Sequence, residues 1–439
     1  MLIDELAGRS VCILGYGREG KATVRALEKY ADGCKAITIA DRNAELEMQN
    51  EFQISNFKFQ TGEDYLSNLD RFDVVIKSPG IPPHPYIITL GSKVTSATQI
   101  FLDTVHAKGS RVIGITGTKG KSTTASLIAA IVQKDGRDAH LVGNIGIPTL
   151  DHLQYAKKGT LFVMEMSSFQ LMDLTTSPHI AVVTSFFPEH LDYHIKFERY
   201  ERAKAQILQQ QNKEEDFVFY SAENNAQAIA AYAVVKMDHR IPYSAEDAPV
   251  GTKDTHLKGH HNVLNMAGAW KVTEHLGVKK EVAVRAITHF KGLPHRQQSL
   301  GVLHGIRWID DAISTIPQSA MAALATYGDA VETIILGGQD RGNDFTELGK
   351  ILAESQLRNV ILFPETGTKI KEAIEKRVHT LDLHEVQSMN EAVKIARKRH
   401  SKDRTDAICL LSPAAPSYNM FKNYEEKGEA FAEAIKHAV

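Results

Sequence analysis

The sequence predicts an α/β protein built from three domains. Short apolar runs typical of buried strands alternate with amphipathic helical patterns along the 439 residues. Two of the strand-to-helix turns are rich in glycine, and the alternation of strands and helices restarts near residue 296. These observations place the domains at 1–95, 96–295 and 296–439, a division that also fits the chain length.

The first domain opens with a turn of the dinucleotide-binding type. The apolar run Ser10–Leu14 is followed by Gly15, Gly17 and Gly20 and then by a helical pattern, and a second strand ends at Asp41. In such turns a pyrophosphate binds at the helix N-terminus, and an acid about 20 residues further on binds a ribose hydroxyl. The pattern favours a Rossmann-like domain, although the same glycines would also serve close packing of helix against strand.

A third strand of this domain, predicted over Asp73–Ile76, leads into a stiff turn that reads S-P-G-I-P-P from Ser78. Ligands of open α/β sheets bind outside the carboxyl ends of the strands. We therefore expect this turn to line a ligand crevice. A helix predicted over Thr95–Ala107 then connects to the next domain.

The central domain is organised around residues 110–124, which read S-R-V-I-G-I-T-G-T-K-G-K-S-T-T. The order is strand, glycine-rich loop and helix, with Lys121 and Ser122 at the start of the helix. In such a loop the backbone N–H groups bind an anion, the lysine reaches the terminal phosphates and the next residue ligates Mg²⁺. Ile115 stands where the longer form of the motif has its first glycine, but the shorter form T-G-T-K-G-K-S-T is complete. We predict a P-loop ATPase-type domain that binds a nucleoside triphosphate.

Four polar side chains further along are candidates for the same site. Glu165 follows the apolar run Thr160–Met164, where an acid is expected to bind Mg²⁺. Asn144 lies in a G-N-I-G turn, His190 in a P-E-H-L-D turn and Lys204 on an amphipathic helix. Each of these three also has an ordinary structural explanation, as a turn former, a hydrogen-bonded turn histidine or a solvated lysine.

The last domain repeats the alternation of strands and helices. It follows L-P-H-R at 293–296, begins with the run Gly305–Asp310, and has a helix that starts near Pro317, a favoured first helical residue. Further strands are predicted at Glu332–Leu336, Asn359–Phe363 and Asp406–Leu411. We expect a second Rossmann-like domain.

The composition gives no sign of a nucleic-acid or membrane partner. The 51 Lys and Arg residues against 53 Asp and Glu leave a formal net charge of −2, so any phosphate binding is local. The sequence shows neither a basic and apolar leader nor a run long enough to span a bilayer. Cys12, Cys34 and Cys409 have no paired spacing, and the first and last lie in apolar runs. We expect buried thiols and a cytoplasmic protein.

Six motifs follow one another along the chain: T-G-T-K-G-K-S-T, G-N-I-G, M-E-M-S-S-F-Q-L, H-L-D, G-H-H-N-V-L-N and L-P-H-R. In this order they resemble the Mur ligases, the ATP-dependent amide ligases of peptidoglycan precursor synthesis. Two further runs, G-G-Q-D-R-G at 337–342 and L-S-P-A-A-P-S-Y-N-M-F-K-N-Y-E-E-K-G at 411–428, resemble the group within the family that adds glutamate. The resemblance covers essentially the whole chain.

The resemblance implies an enzyme that uses ATP and Mg²⁺ to join glutamate, in its D form, to UDP-N-acetylmuramoyl-L-alanine through an acyl phosphate. The three domains would bind the UDP-sugar, ATP and glutamate in turn. The enzyme would be a cytoplasmic monomer with no nucleic-acid or membrane partner.

The resemblance also assigns roles to individual residues of this sequence. Catalytic roles fall on Lys121, Glu165, His190 and Lys204. Metal binding falls on Ser122, Glu165, His190 and Lys204, the last of which matches a lysine that is carbamylated in relatives. ATP binding falls on Gly117, Thr118, Lys119, Gly120, Lys121, Ser122, Thr123, Asn262, Asn265, Arg296 and Asp311. UDP-sugar binding falls on Gly17, Arg18, Glu19, Asp41, Arg42, Ser78, Pro79, Gly80, Asn144, Ser167 and His190. Glutamate binding falls on Thr315, Ser417, Tyr418 and Tyr424.

The sequence departs from the family pattern at three places. Lys119 stands where an asparagine is usual, and Arg18 and Glu19 stand where small or apolar residues lie next to the uracil. Ile313 replaces a lysine that contacts the carboxylate of glutamate, and an aliphatic side chain cannot pair with a carboxylate. The amino-acid pocket must therefore be built differently, and addition of L-glutamate is the alternative.

Two rival functions come from other classes. The glycine turn and Asp41 would also suit a nicotinamide-dependent oxidoreductase, but that function leaves the phosphate loop and Glu165 unexplained. A non-catalytic nucleotide-binding protein would bind ATP without consuming it. The agreement of motifs from all three domains favours the ligase.

Overall fold

The computed structural model describes residues 1–49, 57–145, 147–189, 191–194, 196–378, 380–401 and 407–437. Contacts divide the chain into two compact units, Met1–Phe290 and Lys291–Val439. The first unit holds two sheets and the second unit holds one, and helices alternate with the strands of each sheet. The predicted α/β class is confirmed, whereas the boundaries at 95/96 and 295/296 stay predictions.

The first sheet has five parallel strands in the order β3-β2-β1-β4-β5. Its strands are β1 Ser10–Leu14, β2 Ala36–Asp41, β3 Phe57–Thr61, β4 Val74–Lys77 and β5 Val94–Thr95, and the associated helices are α1 Arg18–Tyr30, α2 Pro85–Thr89 and α3 Ala97–Ala107. Helix α1 begins at Arg18, before the third glycine of the turn rather than after it as the pattern predicted. The close approach of the helix is possible because Gly20 has no Cβ, which would lie 2.2 Å from the carbonyl oxygen of Gly15.

The second sheet has six parallel strands in the order β11-β10-β9-β6-β8-β7. Its strands are β6 Arg111–Thr116, β7 Ala139–Gly143, β8 Leu161–Glu165, β9 Ile180–Val183, β10 Phe217–Ser221 and β11 Arg240–Tyr243. The helices of this part are α4 Lys121–Lys134, α5 Ser168–Leu171, α6 Leu191–His194, α7 Phe197–Gln209, α8 Gln227–Ala230, α9 His260–His275 and α10 Lys280–His289. Strands β6, β8 and β9 are buried along almost their whole length, as expected for a parallel sheet covered on both faces.

The register of this second sheet decides which side chains meet at its carboxyl edge. Ile115 of β6 pairs with Glu165 of β8, and Thr116 of β6 pairs with Val183 of β9. Gly143 of β7 also pairs with Glu165. The predicted phosphate loop, which follows β6, therefore lies between the residues that follow β8 and those that follow β9.

The third sheet, in the second unit, has six strands in the order β12-β13-β17-β14-β15-β16. Its strands are β12 Gln298–Leu303, β13 Ile306–Asp310, β14 Val331–Leu336, β15 Asn359–Leu362, β16 Asp382–Glu385 and β17 Ile408–Leu411. The helices are α11 Pro317–Tyr327, α12 Thr346–Glu354, α13 Thr366–Glu375, α14 Met389–Arg399 and α15 Tyr424–His437. All neighbouring strands are parallel except β12 and β13, which form an antiparallel pair.

Two further expectations concern membrane spans and thiols. In the ranges that the structure describes, no helix combines the length and the apolar character that crossing a membrane requires. Cys12 and Cys409 are buried and Cys34 is half-buried, and all three are free thiols. The prediction of buried thiols is thus confirmed for the two strand cysteines.

Two histidines pack against each other at the amino-terminal end of the second sheet. The ring centroids of His106 and His179 are 4.3 Å apart, and Nδ1 of His179 accepts a hydrogen bond from the backbone N–H of Val112 at 3.1 Å. Burial lowers the pKa of His106, and burial with the neighbouring His106 and Arg111 lowers the pKa of His179 to about 4. The fold therefore favours the neutral form of both rings.

Acid is expected to destabilise the protein through this histidine pair. The folded-state pKa of His179 lies below its ordinary value of 6.5. The contribution of the neutral ring to folding stability is therefore complete above about pH 6.5 and is lost as the pH falls toward about 4. Replacing His106→Phe keeps the ring packing and removes one titrating group, so the melting temperature of this variant should fall less between about pH 7.5 and about pH 5. The exposed His437→Gln serves as the control and should behave as wild type; equal acid sensitivity in all three proteins would contradict the prediction.

Candidate active site

The loop between β6 and α4 is held by its glycines and by the segment after β9. Gly117 and Gly120 have φ angles of 148° and 88°, conformations that side chains rarely adopt. A Cβ on Gly117 would lie 2.1 Å from Oγ1 of Thr184. The backbone N–H of Thr118 donates to the carbonyl oxygen of Ser185 at 2.9 Å. The loop therefore presents one fixed backbone shape at the N-terminus of a long helix, which is the arrangement that binds phosphate.

Lys121 is the first residue of α4, and its side chain folds back over the loop. Its Nζ donates to the carbonyl oxygens of Gly117 and Thr118, at 2.8 Å each. Lys119 points instead toward Glu189, with 2.6 Å between Nζ and Oε1. The ammonium group of Lys121 is thus held at the place where the phosphates of a nucleotide would lie.

Lys204 of α7 approaches the same loop from within the protein. The residue is 2% exposed, its Nζ donates to the carbonyl oxygen of Gly117 at 2.7 Å, and it lies 4.8 Å from the ring centroid of Tyr200. Burial, and then the charge of Lys121, lower the pKa of Lys204 well below its ordinary value. The amine is therefore biased toward its neutral, nucleophilic form, and the solvated lysine expected from the sequence alone is wrong.

Glu165 ends β8 directly beside the phosphate loop and is 1% exposed. Its Oε1 accepts a hydrogen bond from Nδ2 of Asn144 at 3.1 Å, while its Oε2 is buried and has no hydrogen-bond partner among the described residues. A Cβ on Gly143 would lie 2.3 Å from the carbonyl oxygen of Glu165, so the glycine permits this close packing. A buried carboxylate oxygen with no donor suits a cation.

The structure describes some of the remaining residues predicted to bind metal and not others. Ser122 is the second residue of α4, beside Lys121. His190 lies outside the described residues. Across the described ranges no group of three or more His, Cys, Asp or Glu side chains is arranged to hold a metal ion. Lys204 as an unmodified amine donates to a carbonyl and does not itself fit as a metal ligand.

A chain of side-chain hydrogen bonds connects α9 to the phosphate-loop helix. Nδ2 of Asn262 donates to the carbonyl oxygen of Lys258 at 2.8 Å, and Nδ2 of Asn265 donates to Oδ1 of Asn262 at 3.0 Å. Oδ1 of Asn265 accepts from Oγ1 of Thr124 at 3.2 Å and lies 2.6 Å from where a Cβ on Gly120 would be. The two asparagines share one helix face, as predicted, and fix the distance between α9 and the loop.

A cavity of about 470 Å³ lies between the first and second sheets of the same unit. Of the residues predicted to bind the UDP-sugar, Gly17, Arg18, Glu19, Ser78, Pro79, Gly80, Asn144 and Ser167 line it. Gly15 of the glycine turn and Ile81 of the turn that was expected to line a ligand crevice line it too. Gly143, Pro148, Phe169 and Gln170 also line it, although the sequence analysis assigned them no binding role. Asn144 both lines the cavity and bonds Glu165, so the cavity and the phosphate loop are neighbouring parts of one site.

The spacing of Ser167 and Gln170 in the sequence is typical of a helix capping box and points to Gln170. Gln170 stands three residues after Ser167, and the two form a reciprocal capping box at the start of α5. Its Nε2 also donates to Oε1 of Glu19 at 2.9 Å, while Oε2 of Glu19 is buried and accepts no hydrogen bond in the part of the chain that the structure describes. Burial raises the pKa of Glu19. Gln170 thus ties the glycine turn of the first sheet to the helix that follows β8.

The turn at Ser78–Ile81 is held by a tyrosine that the sequence reasoning missed. The hydroxyl of Tyr193 lies 3.1 Å from the carbonyl oxygen of Pro79 and 3.0 Å from that of Ile81. Lys77, at the end of β4, pairs with Asp173 at 3.0 Å. These contacts explain why the turn keeps its place beside the cavity.

Asp41 does not line the cavity, and neither does Arg42. Instead Oδ2 of Asp41 accepts from the backbone N–H of Tyr16 at 2.6 Å, and Oδ1 accepts from that of Asn43 at 2.9 Å. The carboxylate braces the glycine turn in this structure. Ribose binding by Asp41 and Arg42 stays a prediction.

In the second unit, Asp311 lies just after β13 and is surrounded by donors. Its Oδ2 accepts from Oγ of Ser314 at 2.5 Å and Oγ of Ser412 at 2.8 Å, and its Oδ1 accepts from the backbone N–H of Gln297 at 3.1 Å. Burial raises the pKa of Asp311 to about 6 in spite of these bonds. Nε of the neighbouring Arg296 is buried and has no acceptor within the described ranges. Both predicted nucleotide contacts of this unit are therefore close to each other.

The residues predicted to bind glutamate lie in the same unit. Oγ of Ser417 is buried and no described residue forms a hydrogen bond with it, whereas Thr315 is half-buried. Tyr418 is 58% exposed, and the guanidinium of Arg341 lies 5.4 Å from its ring centroid. Tyr424 begins α15. An exposed arginine is suited to pair with a carboxylate ligand.

The phosphate loop, its lysine and the unsatisfied acid on the adjacent strand define a nucleotide-phosphate-binding α/β enzyme. The chain matches the Mur ligase middle domain over residues 115–273. It is 33% identical to a UDP-N-acetylmuramoyl-L-alanine–L-glutamate ligase of Salinispora tropica, with 99% of each chain covered. It is 31% identical to a UDP-N-acetylmuramoylalanine–D-glutamate ligase of Symbiobacterium thermophilum, with 97% of each covered. The chain therefore belongs to the Mur ligase family.

The solved structures agree with the fold. The MurF ligase of Thermotoga maritima in complex with ADP superposes with a TM-score of 0.58 at 14% identity, over 100% of this chain and 97% of that one. The resemblance to the Mur ligases that the motifs indicated is confirmed, and so is the three-domain α/β fold with Rossmann-like outer domains and a central P-loop ATPase-type domain. The family makes this chain an ATP-dependent, amide-bond-forming ligase of peptidoglycan synthesis.

Replacing Gly117→Ala is expected to weaken nucleotide binding. The new Cβ would collide with Thr184, and the backbone would be strained, so the affinity for ATP should fall by about tenfold or more. Gly251→Ala is the matched control, because a Cβ there meets nothing within 4 Å. Titration of both variants with ATP measures the effect, and wild-type affinity in the Gly117 variant would contradict the assigned loop geometry.

Proposed function

We propose that this enzyme joins glutamate to UDP-N-acetylmuramoyl-L-alanine, through an acyl phosphate formed with ATP. The observation that carries the proposal is the double role of Asn144, which lines the cavity and donates to Glu165 beside the phosphate loop. A nucleotide-sugar in the cavity would thus bring its far end to the phosphates of ATP. The same proposal takes the enzyme to be a cytoplasmic monomer.

The chemistry requires activation because a carboxylate is a poor electrophile at neutral pH. An oxygen of the alanyl carboxylate attacks the γ-phosphorus of ATP, the bond to the bridging oxygen breaks, and ADP leaves. The neutral amine of glutamate then attacks the carbonyl carbon of the acyl phosphate. Inorganic phosphate leaves with the bonding electrons, and the amine proton is lost to solvent. Lys121 stabilises the negative charge that moves during the first step.

Glu165 would hold Mg²⁺ through its unpartnered Oε2, together with Ser122 and His190. When bound, Mg²⁺ supplies a positive charge and a Lewis acid for the transferred phosphoryl group. Lys204 would join this set after carbamylation, in which its neutral amine adds CO₂, loses a proton and becomes a negatively charged carbamate. That modification needs a neutral amine, and the buried position of Lys204 favours one.

Further contacts with ATP are proposed for the loop and for α9. Backbone groups of the loop at Gly117–Thr123 bind the phosphates, and Asn262 and Asn265 hold the nucleotide from α9. Arg296 and Asp311 are proposed nucleotide contacts as well, and Nε of Arg296, which has no hydrogen-bond partner in the described ranges, suits a phosphate oxygen.

The UDP-sugar would occupy the cavity at the first sheet. Its pyrophosphate binds at the N-terminus of α1, where Gly17, Arg18 and Glu19 lie. Ser78–Gly80 and Ser167 line the remainder of the cavity. Asp41 and Arg42 are also proposed to bind the UDP-sugar, although they do not line the cavity.

A specific observation favours each isomer of glutamate. The run at 411–428 resembles the group that adds D-glutamate. Ile313, in place of the lysine, indicates a rebuilt pocket, and the Salinispora tropica relative is named for L-glutamate. In either case Thr315, Ser417, Tyr418 and Tyr424 are the proposed contacts.

Replacing Lys121→Ala should abolish ligation while the protein stays folded. Loss of the ammonium group from the phosphate loop should lower turnover by at least about a hundredfold. Lys134→Ala, at the exposed end of the same helix, is the control and should turn over as wild type. Phosphate release and circular dichroism measure the two properties; wild-type turnover in the Lys121 variant would rule out its role.

Phosphate release with UDP-N-acetylmuramoyl-L-alanine and either D- or L-glutamate tests the whole reaction. We expect release only when ATP, the acceptor and one isomer are all present. Turnover of ATP without the acceptor, or binding of NADH in place of the UDP-sugar, would overturn the proposal. ATP binding without any turnover would support the non-catalytic alternative.

A further inference from the structure

Lys427, on the first turn of α15, is a buried lysine that the reaction scheme does not use. It is 1% exposed, and its Nζ donates to the carbonyl oxygen of Gly337 at 2.8 Å. The rings of Phe363 and Phe421 lie around it, with centroids 5.2 and 5.7 Å from Nζ. Its environment is therefore one backbone carbonyl and two aromatic faces.

This environment is costly for an ammonium group. In the described part of the chain no carboxylate pairs with Lys427, and burial lowers its pKa to about 7. Burying a charge without a counter-charge destabilises a fold, and an apolar side chain of similar length would often be more stable. Stability therefore does not explain why a lysine stands here.

The carbonyl that Lys427 binds belongs to the first residue of the G-G-Q-D-R-G loop, 337–342. Gly337 has a φ of 105°, and a Cβ there would lie 2.5 Å from the carbonyl oxygen of Phe363. The backbone N–H of Gln339 donates to the carbonyl oxygen of Pro416 at 2.7 Å. The loop thus runs beside the segment that presents Ser417 and carries Arg341 over Tyr418.

The same turn of α15 also touches the segment at the start of the second unit. A Cβ on Gly428 would lie 2.1 Å from Nδ1 of His295 and 2.6 Å from Oδ2 of Asp310. His295 and Asp310 are themselves hydrogen-bonded at 2.7 Å. Tyr424, one turn earlier on the helix, lies 6.1 Å from the ring of His295. The start of α15 therefore contacts both the loop at 337–342 and the end of β13, and it fixes the positions of both.

We propose that Lys427 is a positioning residue that sets the place of Arg341 for the incoming amino acid, by holding the carbonyl of Gly337. The inference rests on the proposed function, in which the second unit binds glutamate. Lys427 does not touch the substrate. It acts through the loop, and its ammonium group is retained for that purpose at a cost in stability.

The test compares Lys427→Met, Lys427→Arg and Lys436→Met in the full-length enzyme. Methionine keeps the length and removes the donor, and arginine keeps a donor. Lys436 is a solvent-exposed lysine on the same helix and provides the control. The measurements are the KM for glutamate, ATP and the UDP-sugar, the melting temperature, and hydrogen exchange of the segment 337–342.

For Lys427→Met we expect the KM for glutamate to rise about tenfold, with the other two KM values within about twofold of wild type. Its melting temperature should equal or exceed that of wild type, and exchange of 337–342 should become faster. Lys427→Arg should bring the KM for glutamate to within about threefold of wild type. Lys436→Met should change none of these quantities.

An unchanged KM for glutamate and unchanged exchange in Lys427→Met would overturn the inference. A lower melting temperature with equal losses for all three substrates would also overturn it, because the lysine would then be a general structural residue. If wild type releases no phosphate with either glutamate isomer, the proposed function fails. Exchange of 337–342 then still decides whether Lys427 holds the loop.

Discussion

The carbonyl oxygen of Gly117 is the point on which the site depends, because two lysines donate to it. Lys121 reaches it from the start of α4 and Lys204 reaches it from α7, at 2.8 and 2.7 Å. Two like charges this close repel each other, and burial adds a further penalty for Lys204. Anions would relieve this repulsion, and the proposed triphosphate at Lys121 and the proposed carbamylation of Lys204 would each supply one.

The register of the parallel strands places the carbonyl oxygen of Gly117 next to the cavity. The pairing of Ile115 with Glu165, and of Gly143 with Glu165, leaves the acid between the phosphate loop and Asn144. Because the three strands belong to one sheet, the distance between the phosphate loop and the cavity is set by the backbone rather than by flexible side chains. Glu19 with Gln170, and Tyr193 with Pro79, then attach the first sheet to this edge.

Much of this could be predicted from the sequence, and the limits have physical reasons. Strands and the phosphate loop follow from local patterns, so β6, α4 and the strand that ends at Glu165 were found within a residue or two. Lys204 was misjudged by local reasoning, because its burial comes from packing against a loop 87 residues away. Gln170, Tyr193 and Lys427 were missed for the same reason, since each acts through contacts with backbone or side chains distant in sequence. His190, which is predicted to bind metal, lies outside the described ranges.

Asp41 shows that an acid at the spacing typical of ribose binding can hold the backbone of the glycine turn. Both of its carboxylate oxygens accept backbone N–H groups, from Tyr16 and Asn43, and the residue is absent from the cavity wall. Each carboxylate oxygen has a second lone pair, so the proposed ribose contact needs neither backbone bond to break. A substitution of Asp41 would therefore loosen the glycine turn even in the protein without a nucleotide.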